Sequence, residues 1–235
     1  MKHAICWLAL ATLAAAGPAV AAPPASSETA RIDAILAQRA NVKEIRSVTL
    51  SSDGEHLAWL VTHKDESTLT LSAGNGRNAH TVSIPGGCKP EGLDWAPKSD
   101  TLAVLTRCKV NPTNTKPING AIWLLHADTG AKPLKLVDLN GYASDLHWTP
   151  DGERLAFLYV PGATRLAQAT ASSNPRVGVI GENDARPERV ATLTVSSGKL
   201  RVLTPASLYV YEFDFSPDGK RIAYTAAPPP GDDNW

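Results

Sequence analysis

The chain has 235 residues, 43% of them hydrophobic, and carries 23 basic and 23 acidic side chains for a formal net charge of zero. Balanced charge scattered along the sequence removes the long-range attraction that nucleic acid or an anionic membrane surface needs, so neither is expected as a partner. The three cysteines, Cys6, Cys88 and Cys108, are too few for a disulfide-dense scaffold and too widely spaced for a C-x-x-C zinc or redox motif.

Lys2 and His3 form a short basic start, Ala4 to Ala16 an apolar run too short to span a bilayer comfortably, and Ala19-Val20-Ala21 a small-residue cleavage site. Residues 1–21 therefore read as a signal peptide for export to a periplasmic or extracellular space, with no membrane segment left after cleavage. The alternative is an N-terminal membrane anchor; no cysteine follows the cleavage region, which argues against a lipid-modified terminus. Cleavage would leave 214 residues, enough for a sizeable core in one domain. Residues 22–47 read as a Pro/Ser/Ala linker followed by a short amphipathic helix over Thr29 to Ala40, with Ile32, Ile35 and Leu36 on its apolar stripe.

From residue 48 the pattern is all β, and one twelve-residue unit occurs four times, the three upstream copies in weaker form. Phe213-Asp214-Phe215-Ser216-Pro217-Asp218-Gly219-Lys220-Arg221-Ile222-Ala223-Tyr224 is the clearest copy; the others begin at Val48, Leu93 and Leu146. Equivalent alanines at 58, 103, 156 and 223 are separated by 45, 53 and 67 residues. A period of about 40 to 50 belongs to propeller blades, and stretched periods imply loop insertions. The expected fold is an all-β partial β-propeller of about four blades over residues 48–235, with blades starting near 48, 93, 146 and 213. Each copy reads as strand, tight turn, strand: Asp53-Gly54, Asp151-Gly152 and Asp218-Gly219 supply the Asp that bonds amides two residues on and the Gly that takes positive φ. Because these aspartates recur in register, they are assigned to the turns rather than to catalysis or metal binding.

Further strands are expected at Ala79–Ile84, Ile122–His126, Pro133–Val137, Val190–Val195 and Leu200–Thr204, with turns at Asp128-Thr129-Gly130 and Ser196-Ser197-Gly198. Trp59, Trp95, Trp123 and Trp148 fall at blade-equivalent places on strands and read as packing between blades. Lys109 to Asn119 and Pro161 to Pro187 are polar insertions read as exposed loops on a rim, either ligand-contacting or mere excursions. Residues facing each other across the second hairpin should have numbers summing to about 197. Cys88 and Cys108 sum to 196, so they are candidates for a disulfide in an oxidising compartment; two unpaired buried thiols are the alternative.

The sequence holds no G-x-S-x-G elbow, P-loop, G-x-G-x-x-G, H-E-x-x-H or EF-hand loop, and its six histidines (His3, His56, His63, His80, His126, His147) sit singly. No catalytic, cofactor-binding or metal-binding residue is therefore assigned, and no cofactor is expected.

Val177-Gly178-Val179-Ile180, Thr194 to Pro205, the run Leu208-Tyr209-Val210-Tyr211-Glu212 leading into the Ser216-Pro217-Asp218-Gly219 hairpin, Thr225-Ala226-Ala227 and Gly231-Asp232-Asp233-Asn234-Trp235 together resemble a known propeller. It is the propeller of exported bacterial peptidases of the prolyl-oligopeptidase family, the group that contains acylaminoacyl peptidases and dipeptidyl peptidase IV. TolB-type propellers, with WD-type repeats, share the Ser-Pro-Asp-Gly hairpin. In the peptidase family the propeller caps a C-terminal α/β-hydrolase domain bearing a Ser-Asp-His triad and restricts access to short peptides. The resemblance thus implies a substrate-gating segment, inactive alone, whose partner is that hydrolase domain and whose substrates are peptides. None of the triad has a counterpart here, and the chain stops at Trp235 within the fourth repeat, so a fragment is expected. Dipeptidyl peptidases hold the substrate amino terminus with a Glu-Glu pair; none occurs, which favours an oligopeptidase or acylaminoacyl-type relative. The alternatives are a periplasmic TolB-like protein-interaction module and a degenerate reading frame with no folded product.

Overall fold

A computed structural model describes residues 27–64, 66–108, 119–127, 132–163 and 186–228. The proposed signal peptide, the turn at Asp128-Thr129-Gly130, the Gly231–Trp235 ending and most of both insertions lie outside the described residues. The chain divides into two units, residues 1–40 and 41–235. In the first, helix α1 (Ser27–Ala40) has Glu28 in its first turn and Arg39 in its last, each complementing the helix dipole. Its stripe of Ile32, Ile35 and Leu36 is exposed.

The second unit is built of antiparallel strands. β1 (Lys43–Leu50), β2 (His56–His63), β3 (Glu66–Ala73) and β4 (His80–Val82) form one sheet in chain order. A seven-stranded sheet follows, made of β5 (Lys89–Trp95), β6 (Thr101–Arg107), β7 (Asn119–His126), β8 (Leu134–Trp148), β9 (Arg154–Pro161), β10 (Arg189–Thr194) and β11 (Lys199–Val202). β12 (Tyr209–Phe215) and β13 (Ile222–Ala227) pair as a hairpin.

The seven strands are two four-stranded sheets sharing β8. Leu134 to Asn140 pair with β7, whereas Gly141 to Trp148 pair with β9. The change of partner falls at Asn140-Gly141, a dipeptide that more often closes a hairpin. Gly141 has φ +139°, and a Cβ there would lie 2.1 Å from the Val160 carbonyl oxygen, so only glycine lets the strand pass. Tyr159 Oη and the Gly162 N–H both donate to the Asn140 carbonyl, at 2.7 and 2.9 Å, and fix the crossing.

Each repeat hairpin carries a β-bulge on its first strand at places that match to within one residue: Ser47, Glu91 and Tyr211 are extra residues, and Asp145-Leu146 together oppose the single residue Phe157. Bulges bend a strand and re-aim its side chains. They also break strict alternation, which is why β1 begins at Lys43, five residues before the start that the sequence pattern suggests.

Sheets stack face to face in a row, so central strands are apolar on both faces and read as unbroken hydrophobic runs. In β6, Leu102 and Val104 join Ala58, Leu60, Leu69 and Leu71 of the first sheet, while Ala103 and Leu105 join Leu155, Phe157 and Leu193 on the other side. Ala156, Leu158 and Val190 then meet Val210 and Phe213 of the last hairpin. Each fully buried leucine contributes about 1.5–3 kcal/mol. The outer ends of the row differ: Ile45, Val48 and Leu50 of β1 are 68%, 61% and 52% exposed, and Tyr224 of β13 is 43% exposed.

The tryptophans are not all equivalent, contrary to the sequence reading. Trp95 and Trp148 end the first strands of successive hairpins, but Trp59 lies on β2 and Trp123 on β7. Trp95, Trp123 and Trp148 are buried and Trp59 half-buried. Period-two alternation shows that a tryptophan faces a neighbouring sheet, not which strand of the sheet carries it.

Candidate functional site

The turn aspartates are architectural. Ser51 Oγ donates to Asp53 Oδ1 at 2.5 Å, the same carboxylate oxygen accepts the Glu55 N–H at 3.0 Å, and Ser51 Oγ accepts the His56 N–H at 2.9 Å. Thr149 with Asp151 and Ser216 with Asp218 repeat the pattern bond for bond. Donation from these hydroxyls holds the three carboxyls below the usual range, helped by the amide two residues on. Gly54, Gly152 and Gly219 take φ of +79°, +75° and +66°. The sequence reading named the aspartates and glycines but missed Ser51, Thr149 and Ser216, whose recurrence two residues before each Asp was the available signal. The second hairpin, with Ala96 in the hydroxyl position, closes through the Ala96 N–H to the Thr101 carbonyl at 2.8 Å.

Along the first strands a second polar series ties hairpin to hairpin. Trp95 Nε1 donates to the Thr49 carbonyl at 3.2 Å, and Trp148 Nε1 donates to the Asp94 carbonyl at 3.1 Å, the same bond one repeat on. Asp94 Oδ2 also accepts the Trp148 N–H at 2.6 Å. Burial pushes the Asp94 carboxyl up despite that bond and the nearby His147. His147 Nε2 lies 2.9 Å from Asp145 Oδ1, and its ring meets Phe213 edge-on at 5.6 Å. The Asp145 hydrogen bond raises its pKa against the opposing effect of burial, with Asp94 and Asp214 adding charge attraction. Read singly in the sequence, His147 is in fact surrounded by three carboxylates.

At the opposite rim from the Asp-Gly turns, the strand ends that flank residues 109–118 and 164–185 carry a denser polar group. Cys88 and Cys108 are bonded there, S–S 1.98 Å, one step beyond the paired Lys89 and Arg107. Near the turn, facing residues sum to 197; the bulge at Glu91 shifts the register to 196, which brings the two cysteines directly opposite. Arg107 pairs with Glu91, each about a quarter exposed, and its guanidinium lies 6.0 Å from the Tyr142 ring centroid. Ser144 Oγ donates to Glu188 Oε1 at 2.9 Å. Burial raises Glu188, with the Ser144 bond opposing, and burial raises Tyr142, with Glu188 adding to it. Beside this network a groove of about 330 Å³ opens between the first and second sheets, lined by Arg46, Leu60, Thr62, Lys64, Glu66, Ser67, Lys89, Pro90, Glu91 and Arg107. None of these residues was singled out from the sequence, because strand ends far apart in the chain supply them.

One arrangement imitates a nucleophile with its base. Thr101 Oγ1 lies 3.1 Å and Asp100 Oδ1 3.8 Å from His126, but both approach the same nitrogen, Nδ1. A relay needs the carboxylate on one ring nitrogen and the hydroxyl on the other, so this trio is a turn contact. Among the described residues no group of three or more His, Cys, Asp or Glu could hold a metal ion, and no helix is long and apolar enough to cross a membrane.

Stacked antiparallel sheets with one hairpin repeat define the class: this is a β-propeller-type fold. No protein-family model and no curated protein matches the sequence. Solved structures do. TolB from Acinetobacter baumannii matches with a TM-score of 0.53 at 16% identity, over 80% of this chain and 39% of that one. An oligogalacturonate lyase in complex with manganese matches with 0.54 at 11% identity, over 80% of this chain and 48% of that one. A prolyl endopeptidase matches with 0.51 at 16% identity, over 83% of this chain and 28% of that one. The chain spans less than half the length of each of these structures, and at these identities the likeness is one of fold.

Proposed function

We propose that this chain is the non-catalytic, substrate-gating propeller segment of an exported serine peptidase of the prolyl-oligopeptidase type, acting on short peptides through a separate α/β-hydrolase domain. The observation that carries the reading is the joining of Leu208-Tyr209-Val210-Tyr211-Glu212 to the Ser-Pro-Asp-Gly hairpin. That lead-in forms β12, with Tyr209 and Val210 buried. The exposed apolar residues of β1 and β13 support it further, since a propeller sheet normally covers such faces with a neighbour. In this reading residues 1–21 direct export, blades start near 48, 93, 146 and 213, and the chain alone hydrolyses nothing. The test is a fluorophosphonate probe with peptidyl and acyl-aminoacyl chromogenic substrates, applied to this chain and to the complete gene product. Labelling and turnover in the complete product alone support the reading; stoichiometric labelling of a serine in this chain refutes it.

A second reading, a TolB-like periplasmic interaction module, draws on the hairpin shared with TolB-type propellers. It expects the complete gene product to end after further blades and to take no probe.

A further inference from the structure

We propose that the groove between the first and second sheets binds a short acidic peptide through its carboxylates. Four cationic side chains line it, Arg46, Lys64, Lys89 and Arg107, against two carboxylates, Glu66 and Glu91. Pairing sorts them. Arg107 is matched by Glu91 in a half-buried ion pair, and Arg46 is held by Glu44 at 2.7 Å. Lys64 and Lys89 make no ion pair among the described residues, which leaves two ammonium groups and one carboxylate, that of Glu66, among the described residues lining the groove.

This local excess sits in a chain whose net charge is zero, so the field is a property of the groove rather than of the whole surface. A concave site with apolar walls concentrates such a field on an entering anion, and buried Leu60 and Pro90 supply those walls. Lys89 adjoins the Cys88–Cys108 bond, and Lys64 directly follows β2 with its backbone in the left-handed region at φ 55°. Thr62 and Ser67 add hydroxyl donors.

A volume of about 330 Å³ is at the small end of ligand sites, suited to two or three residues. Two ammonium groups suit a ligand with two carboxylates, such as a peptide ending in Asp or Glu, which offers its terminus and its side chain. That the ligand is a peptide rests on the function proposed above; that it is a dianion rests on the groove alone.

The test is calorimetric titration of the full chain with N-acetyl-Ala-Glu, with neutral N-acetyl-Ala-Gln-amide, and with glutarate as a dicarboxylate lacking peptide groups. The acidic peptide should bind at least about tenfold tighter than the neutral one, and more weakly as salt rises from about 50 to 300 mM. The K64Q/K89Q variant should lose about tenfold in affinity for it, whereas K89R and the distant K199Q keep it, all with unchanged melting temperatures. Equal binding of acidic and neutral peptides, or full affinity in K64Q/K89Q, overturns the anion site while leaving the peptide reading intact. Binding of glutarate with neither peptide bound overturns the peptide reading alone, and failure of all three ligands overturns the proposal.

Discussion

Replacing both Cys88 and Cys108 by serine removes a cross-link between residues 20 apart in sequence. In the chain-entropy view such a link acts on the unfolded chain, and a closed loop of this length is worth about 3 kcal/mol. The folded side of the balance should change little, because the adjacent Lys89–Arg107 and Pro90–Thr106 pairs hold the strands in register without the bond. For a unit of about 190 residues, 1 kcal/mol corresponds to roughly 2–4 °C, so the variant should melt about 6–12 °C lower. Thermal unfolding by circular dichroism, run oxidised and with reductant, measures this. The oxidised wild type should stand alone at the higher temperature, while the reduced wild type and the C88S/C108S variant coincide. A double variant that melts with the oxidised protein, or two freely alkylated thiols in periplasmically expressed material, would refute the reasoning.

The Thr149→Val substitution leaves the Arg154 N–H without its acceptor and strips Asp151 of its hydroxyl donor, and should cost about 1–3 kcal/mol in a urea melt. Glu188→Gln keeps an acceptor for Ser144 but removes a carboxylate whose pKa burial raises. A carboxyl raised on folding binds more protons in the folded state, so its charge disfavours folding above the raised pKa. The variant should therefore gain stability at neutral pH relative to wild type and lose that advantage near pH 4, readable from paired denaturant melts. His147 shows the opposite case of a base raised on folding: its pairing with Asp145 stabilises below the unfolded pKa, and the gain fades as pH rises through the folded one. Its imidazole resonances should titrate above about 6.5, and Asp145→Asn should bring that midpoint down.

The repeat itself was legible because tight turns have strong local chemistry: Asp and Gly at fixed places in Asp53-Gly54, Asp151-Gly152 and Asp218-Gly219 announce each hairpin before any tertiary contact is considered. The Cys88–Cys108 pairing was legible for a related reason, since register follows from turn position, although the shift made by the Glu91 bulge was not visible. Three features were hidden by physics that acts beyond the local pattern. The continuity of β8 turns on Gly141, whose meaning depends on the Val160 carbonyl across the sheet. Bulges at Ser47, Asp145 and Tyr211 leave no compositional mark. The candidate groove draws Arg46 and Lys64 from one sheet and Lys89 and Arg107 from the next, so its charge is assembled only by stacking.

The proposed gating of a serine peptidase is tested most directly by hydrolysis of a peptide series of increasing length, using the complete gene product and a version lacking residues 41–228. The expected result is a single fluorophosphonate-labelled serine outside residues 1–235 in both proteins. The complete product should cleave only short members of the series, and the deletion should admit longer ones. The contradicting result is a complete product that takes no label and cleaves nothing, or one whose length dependence is the same with and without the propeller segment.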